Sequence, residues 1–483
     1  MASWSRREQH QAYQFLNRRI VAAILSGEPE TTELPMRRFG IVLIASAGAA
    51  LLVIAGFLVY GLLVPGGRLP ADNAIIIERE TGARYIYRQN QLHPVLNFTS
   101  ARLILGQPEP PLQTLSRRVL RDIPRGLPVG IPGVPDTLPD KGSLIGLPWS
   151  VCTAPRSATT VVLATHVLVG TVPAGGVALS ANEGVLVTAG TGPDRYLVWQ
   201  NHRLRVNDNA VIAALGWTGV VPAPVTPAFL DALPAGPDLA PLVIPGTGQP
   251  SSVVIGGTAA KVGQVFRAQG EFYVAVTNGL AHVGQLTAQL WAAAGQKVVD
   301  VSAQDVGRTL VDTKVEPIGL PAQVPTAHGS EDRFAMACAI YRGTGGLDQP
   351  VTVQSYARVD ASMNLADNAS TLGGTDGSPV ADRVALPGGR AALAATLLPS
   401  GSTATGNVYV VTDQGVKYPM PRENTAAVQS SLGFAGVRPV SVPSSILALI
   451  PTGPALDPTA AALFVAPDTV TATPGLSTAS PAH

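Results

Sequence analysis

The chain has 483 residues, of which 46% are hydrophobic and 13% charged, and its formal net charge is +1. That balance leaves no broad basic field for nucleic acid and no acidic tail for a cationic partner. The 50 glycines and 42 prolines predict short elements and many turns, exclude long helices beyond Pro65, and lack the three-residue period of collagen.

The first predicted element is a helix in QHQAYQFLNRRIVAAIL, beginning at Gln9. Tyr13, Leu16, Ile20, Ala23 and Ile24 fall on one stripe, with Phe15 beside it and Arg18 and Arg19 flanking it. A short basic amphipathic helix of this kind either lies on a membrane surface or docks on a cytoplasmic partner; the bland alternative is a solvated juxtamembrane helix. Gly27 and Pro29 stop it, and EPETTELP reads as a hinge.

The stretch from Phe39 to Val64 follows and carries no charge at all. At 1.5 Å per residue this helix covers roughly 39 Å, enough to cross a ~30 Å hydrocarbon layer with tilt. Six arginines precede it (Arg6, Arg7, Arg18, Arg19, Arg37 and Arg38), whereas only Arg68 follows closely. The positive-inside bias therefore predicts residues 1–38 in the cytoplasm and the bulk of the chain outside it. A cleaved signal peptide is disfavoured because the apolar run is too long and too far from the start. Ala45, Ser46, Gly48, Ala49 and Ala50 are either a close-packing face or ordinary lipid-facing residues.

Two cysteines, Cys152 and Cys338, both fall on the outer side. An even pair there predicts a disulfide, which would close the long loop between them and tie distant parts of the chain together. Metal binding is the lesser reading, because neither cysteine has a CxxC partner or a nearby histidine.

Beyond the span, four segments share a pattern: a strand around a tyrosine, a polar turn, a returning strand and a small-residue helix. They begin at Ala83, Asp194, Glu271 and Asn407, with Tyr85, Tyr196, Tyr273 and Tyr409 as their tyrosines. The returning aliphatics are Leu92, Leu204, Leu280 and Val416, and Asn278-Gly279 and Gln414-Gly415 are expected to give the backbone freedom of a tight turn. The second and fourth segments continue into LGWTGVVPAPVTPAFLDALPAGPDLAP from Leu215 and LGFAGVRPVSVPSSILALIPTGPALDP from Leu432, identical at 12 of 27 positions with a constant offset of 217. The first and third continue instead into GLPVGIPG at Gly126 and EPIGLPAQVP at Glu316. This order predicts duplication of a two-unit segment.

The expected architecture is α+β: a single N-terminal transmembrane helix, then an elongated outer domain of four ββα repeats around a central β domain, with pseudo-twofold symmetry. The predicted divisions are a cytoplasmic arm at 1–38, the span at 39–64, repeats at 65–145, 194–250, 271–328 and 407–458, a central domain assembled from 146–193, 251–270 and 329–406, and a disordered tail at 459–483.

The chain also carries, in order over roughly residues 10–460, a Gln-Phe-Leu-x-Arg-Arg arm from Gln14, TGARY at Thr81, SARLILG at Ser100, PRG followed by GIPGVPD from Pro124, WSVC at Trp149 and VTDQGVKYP at Val411. Together these motifs resemble the EccB family, a core membrane component of the ESX or type VII secretion systems. The resemblance implies one transmembrane helix, a periplasmic part of four repeats around a central β domain, and a disulfide at cysteines placed like Cys152 and Cys338. It implies assembly with EccC, EccD and EccE in the inner membrane, self-association in the periplasm, and work alongside the mycosin protease, with EccC as the motor.

EccB relatives are also labelled ATPases, yet no GxxxxGK[ST] occurs here. IGGTAAKVG at Ile255 lacks the Gly-Lys-[Ser/Thr] core, and LPGGRAAL at Leu386 offers only an anion cradle from Gly388, Gly389 and Arg390, or else a plain β-turn. The outer compartment is not expected to hold ATP. Seven histidines are scattered without metal-ligand spacing, and no GxSxG is present. The expectation is a scaffold without catalytic residues, metal or cofactor, ATP included; the alternatives are a nucleotide hydrolase and a cell-wall-binding module.

Overall fold

The computed structural model describes residues 5–27, 35–63, 70–156, 162–190, 192–206, 208–255, 257–330, 334–343, 351–360, 380–398 and 406–465. Two compact units divide the chain: Met1–Asp72 with Ile76–Ala83 and Gln113–Pro124, and Asn73–Ile75 with Arg84–Leu112 and Arg125–His483. The first contains two long helices, Arg6–Ser26 and Pro35–Leu63. It also contains the contact of the Glu78 carboxylate with Nε of Arg117 at 2.6 Å.

All four tyrosine segments fold as antiparallel hairpins followed by a helix. The hairpins are Arg84–Arg88 with Gln91–Pro94, Arg195–Trp199 with His202–Arg205, Glu271–Val276 with Gly279–Val283, and Val408–Thr412 with Lys417–Pro419. The helices are Phe98–Leu105, Asn209–Ala214, Gln285–Ala293 and Thr425–Ser431. Every returning aliphatic is buried, Leu92, Leu204 and Leu280 completely; Leu204 and Val416 share a core with Val211 and Val428 of the helices that follow, whereas Leu280 packs with Phe266 and Val306.

The turns differ in how they achieve their geometry. Gln89-Asn90 and Gln200-Asn201 both take positive φ, the backbone of a two-residue turn matched to strand twist. Gly415 does likewise at φ 73°, as expected. Gly279 does not turn the chain: it is the first residue of its strand, where a Cβ would lie 2.4 Å from Val311 Cγ1. Its missing side chain admits the parallel edge strand Leu310–Val311.

Each of the last three hairpins gains a strand before it and another after its helix. Val187, Phe266 and Ala394 lie opposite Tyr196, Tyr273 and Tyr409. The same three residues pair in parallel with Ala223, Val299 and Val440. A short helix comes next: Pro227–Asp231, Ala303–Thr309 or Ser444–Ala448.

The 27-residue duplication now has a structural meaning. Trp217 and Phe434 N–H donate to Ile212 and Gln429 carbonyls; Arg203 and Lys417 N–H donate to Pro234 and Pro451 carbonyls; Gly236 and Gly453 N–H donate to Arg203 and Lys417 carbonyls. The Pro-x-Gly-Pro run therefore lays a glycine over the returning strand. A Cβ on Gly453 would stand 2.5 Å from Tyr418 Cε1, whereas on Gly236 it would stand 3.2 Å from Leu204 Cγ. Gly453→Ala is expected to lower stability by about 1–3 kcal/mol, the cost of overpacking against a buried ring. Gly236→Ala should cost less, and chemical unfolding of the full chain in mild detergent measures both.

Among the described residues the central sheet has six strands in the order Arg383–Ala385, Leu163–Val169, Trp149–Pro155, Met336–Tyr341, Val351–Tyr356, Val177–Ala178. It draws on the predicted segments 146–193 and 329–406 but not on 251–270. Among the described residues Pro250–Ile255 and Thr258–Lys261 pair only with each other, and Val265–Ala268 joins the third hairpin. Glu183–Ala189 and Ala391–Thr396 likewise belong to the second and fourth hairpins. One core joins this sheet to the duplicated exits, with Trp149, Val151, Ala339, Phe229, Leu230, Ile446 and Leu447 all buried in it. Leu103 shares a core with Val428, and Ile212 shares another with Leu290, so the first helix meets the fourth and the second meets the third.

The fold also continues past the predicted end of the fourth repeat at 458. Pro458–Ala461 is a helix with Ala461 buried, Phe464 stacks on His93 at 5.8 Å, and Val465 N–H donates to Pro128 O at 2.8 Å. These residues are held because Phe464 meets the first hairpin and Ala461 enters the core of the fourth; residues 466–483, the rest of the predicted tail, lie outside the described residues.

Candidate functional site

The arm helix Arg6–Ser26 starts with a capping box. Ser5 N–H donates to Glu8 Oε2 at 2.9 Å, and Glu8 N–H donates back to Ser5 Oγ, satisfying two donors that the first turn would otherwise leave open. Gly27, at φ 71°, ends it. Tyr13, Phe15, Leu16 and Ile20 are each at least half exposed, and Arg18 and Arg19 are exposed beside them, with the Arg19 guanidinium 5.9 Å above the Phe15 ring. The arm thus holds an apolar stripe and a cationic one on the same two turns.

Helix Pro35–Leu63 contains one stretch long and apolar enough to cross a membrane, Phe39–Tyr60, with mean hydropathy 2.6. The helix begins four residues before the predicted span and takes in the backbone of Arg37 and Arg38, whose side chains lie outside the described residues.

Cys152 and Cys338 are bonded, and they sit directly opposite each other on the two middle strands of the central sheet. Both are fully buried among Leu168, Met336, Ile340 and Tyr356.

The proposed anion cradle is filled by the chain itself. Gly389 N–H donates to Asp413 Oδ2 at 2.7 Å, Arg390 N–H donates to Pro387 O at 3.1 Å, and the Arg390 guanidinium reaches Gly142 O at 3.4 Å. A carboxylate at that N–H repels a phosphate, so the LPGGRAAL segment is built as a turn. Among the described residues no group of His, Cys, Asp and Glu is arranged to hold a metal ion.

Positioning residues with no local signature in the sequence tie the hairpins to their exits. Lys417 is 2% exposed, and its Nζ donates to Leu447 O at 2.5 Å at the end of the short exit helix. In the second hairpin Arg203 does the same work, meeting Asp231 at 2.6 Å. In the first and third segments an acid from the exit caps the helix: Asp136 accepts from Phe98 N–H at 3.1 Å, and Glu316 accepts from Gly284 N–H at 2.9 Å. The only sequence signal was that GVPD and VEPIG both put an acid in the two exits of the same kind.

Burial pushes the Asp136 carboxyl up, but the Arg84 side chain, the Phe98 N–H and the Arg84 charge together hold it below its ordinary value. A depressed carboxylate contributes stability above its unfolded pKa and loses it as pH falls through the folded one. Asp136→Asn is therefore expected to destabilise at neutral pH, and the gap from wild type should close as the pH falls below about 4. Unfolding midpoints across that range check it.

Against this geometry the comparisons are consistent. A family model described as "Type VII secretion system ESX-1, transport TM domain B" matches residues 2–472. The ESX-3 secretion system ATPase EccB3 of Mycolicibacterium smegmatis is 28% identical over 93% of this chain and 89% of its own. The ESX-5 secretion system ATPase EccB5 of Mycobacterium marinum is 28% identical over 94% and 92%. A chain of an intact ESX-5 inner membrane complex superposes with a TM-score of 0.66 at 27% identity, covering 98% of both chains. A chain of the EccB3 dimer from the ESX-3 core complex gives 0.64 at 28% identity, covering 81% of this chain and all of that one. The chain belongs to the EccB family of type VII secretion proteins.

Proposed function

We propose that this protein is a membrane-anchored structural subunit of a type VII secretion translocon. The observation that carries the reading is the likeness to a chain of an ESX-5 inner membrane complex along nearly the whole length, joined to one apolar helix behind a basic, apolar-striped arm. The arm binds EccC, EccD and EccE at the cytoplasmic face. The domain beyond the span stands in the periplasm, scaffolds the outer side of the machine, pairs with a second copy and works beside the mycosin protease. The arginines before the span and the buried disulfide support that orientation. Its four hairpin–helix segments are four copies of one unit in two kinds, related by an approximate twofold through the central sheet.

Affinity purification from gently solubilised membranes tests the proposal. Other ESX subunits and a second copy should co-purify, and Leu16→Asp with Ile20→Asp should strip the cytoplasmic partners while leaving the second copy. Recovery of a lone monomer would sink the scaffold reading.

The names of the relatives, secretion system ATPases, favour a second reading, nucleotide hydrolysis. Under it the full chain in detergent turns over ATP and Arg390→Ala abolishes the activity. Asp413 at the Gly389 N–H argues for the opposite result, no turnover above a buffer blank.

A further inference from the structure

We infer that the Cys152–Cys338 bond is installed on an incompletely folded chain by an external disulfide-bearing thiol oxidase, and that closure of the central sheet then seals it from both oxidants and reductants. This rests on the outer-side placement proposed above. The two sulfurs are fully buried on the two middle strands of a six-stranded sheet, so each is flanked by a further strand as well as by its partner. Leu168, Met336, Ile340 and Tyr356, on the same strands, surround them on that face, and the core containing Trp149, Val151 and Ala339 covers the other. Thiol–disulfide exchange needs a thiolate to reach a sulfur. No catalyst can bring one to sulfurs that lie wholly inside the folded core.

The bond must therefore precede the packing, and the order of the chain restricts when. Cys152 and Cys338 are separated by 186 positions that include the whole second and third hairpin–helix segments. Cys152 waits for a partner until all of them have crossed the membrane. With two cysteines in the chain, one intrachain bond is possible, so the supplying reaction is an oxidation alone and requires no isomerase.

The step balances. The Cys152 thiolate attacks the oxidase disulfide, forming a mixed disulfide and releasing one oxidase thiolate. The Cys338 thiolate then attacks the Cys152 sulfur, forming the native bond and releasing the second. The oxidase disulfide gains two electrons and becomes a dithiol, taking up the two protons that the protein thiols lose.

The test uses the full chain in mild detergent, dithiothreitol as reductant, and a mass-shifting maleimide to count thiols on a gel. Unfolded without reductant, the chain should take no label; unfolded with reductant, it should take two. Kept folded, it should be reduced at least ~1,000-fold more slowly than when unfolded, because reduction must await an opening of the core. Reduction of the folded chain within tenfold of the unfolded rate would overturn the inference while leaving the topology intact. Two labels on the unfolded chain before any reductant would overturn the outer-side placement itself, and the inference with it.

Discussion

Replacing Phe229 by aspartate is expected to unfold the central part of this protein or to lower its stability by more than about 4 kcal/mol. Deleting a buried phenylalanine costs roughly 3–5 kcal/mol in lost transfer energy and cavity, and an unpaired carboxylate in its place adds to that. Phe229 is fully buried in the core that holds the second exit helix to the central sheet. Its counterpart in the fourth segment, Ile446, is also fully buried in that core. Counted from the strand residues that face Val187 and Phe266, the same place in the third segment is Asp305. There Ser302 and Asp305 are hydrogen-bonded at the start of an exit helix with one buried residue, Val306. A single aspartate thus gives the second exit the chemistry of one that packs on its own hairpin and not on the central sheet. The control is Arg308→Leu, at an exposed position of the third exit helix, which should stay within about 0.5 kcal/mol of wild type. Chemical unfolding of the full chain, followed by tryptophan fluorescence, distinguishes the two.

This comparison marks where the sequence was legible. Alternating apolar residues around Tyr85, Tyr196, Tyr273 and Tyr409 placed all four hairpins, because period-two burial leaves a pattern within a single short strand. The flanking strands left none. Ala223–Val225 and Val298–Asp300 are three residues each, too short for a period, and their partners Val187–Ala189 and Val265–Arg267 lie far back along the chain. That is why the unit read as ββα lacks two of its strands, and why Val265–Ala268, within 251–270, is expected in the central domain but joins the third hairpin. The exits were seen as duplicated, but what they touch depends on the folded chain: Phe229, Ile446 and Trp149 share a core that no local pattern encodes.

The candidate site divides in the same way. The arm stripe, the span and the cysteine pair are local or compositional signals, and each could be named from residues alone. Lys417 could not, since a lysine is expected outside; its burial makes sense only once the carbonyl of Leu447, 30 positions on, is seen to receive the ammonium. Asp136 and Glu316 are hidden for a related reason. They stand 38 and 32 positions beyond the N–H groups of Phe98 and Gly284 that they cap, and local capping patterns search only within a turn.

Removing the disulfide is the second large effect. With Cys152→Ala and Cys338→Ala together, stability is expected to fall by about 3–5 kcal/mol, the upper figure being the chain-entropy value for a separation of 186 positions. The direct pairing of the two strands persists, since Ala337, Ala339, Ile340 and Tyr341 keep their partners Thr153, Val151, Ser150 and Trp149. The loss therefore falls on the unfolded state, which regains the freedom of the whole segment carrying the second and third hairpins. Two consequences separate this account from one in which the sulfurs merely fill space. The single variant Cys152→Ala should lose nearly as much as the double one, because either opens the loop. Wild-type chain unfolded in the presence of dithiothreitol should match the double variant to within about 1 kcal/mol, the scale of the small cavities left by alanine. If oxidised and reduced wild type instead unfold at the same denaturant concentration, the six-stranded ladder alone holds the distant segments together, and the bond has no part in stability.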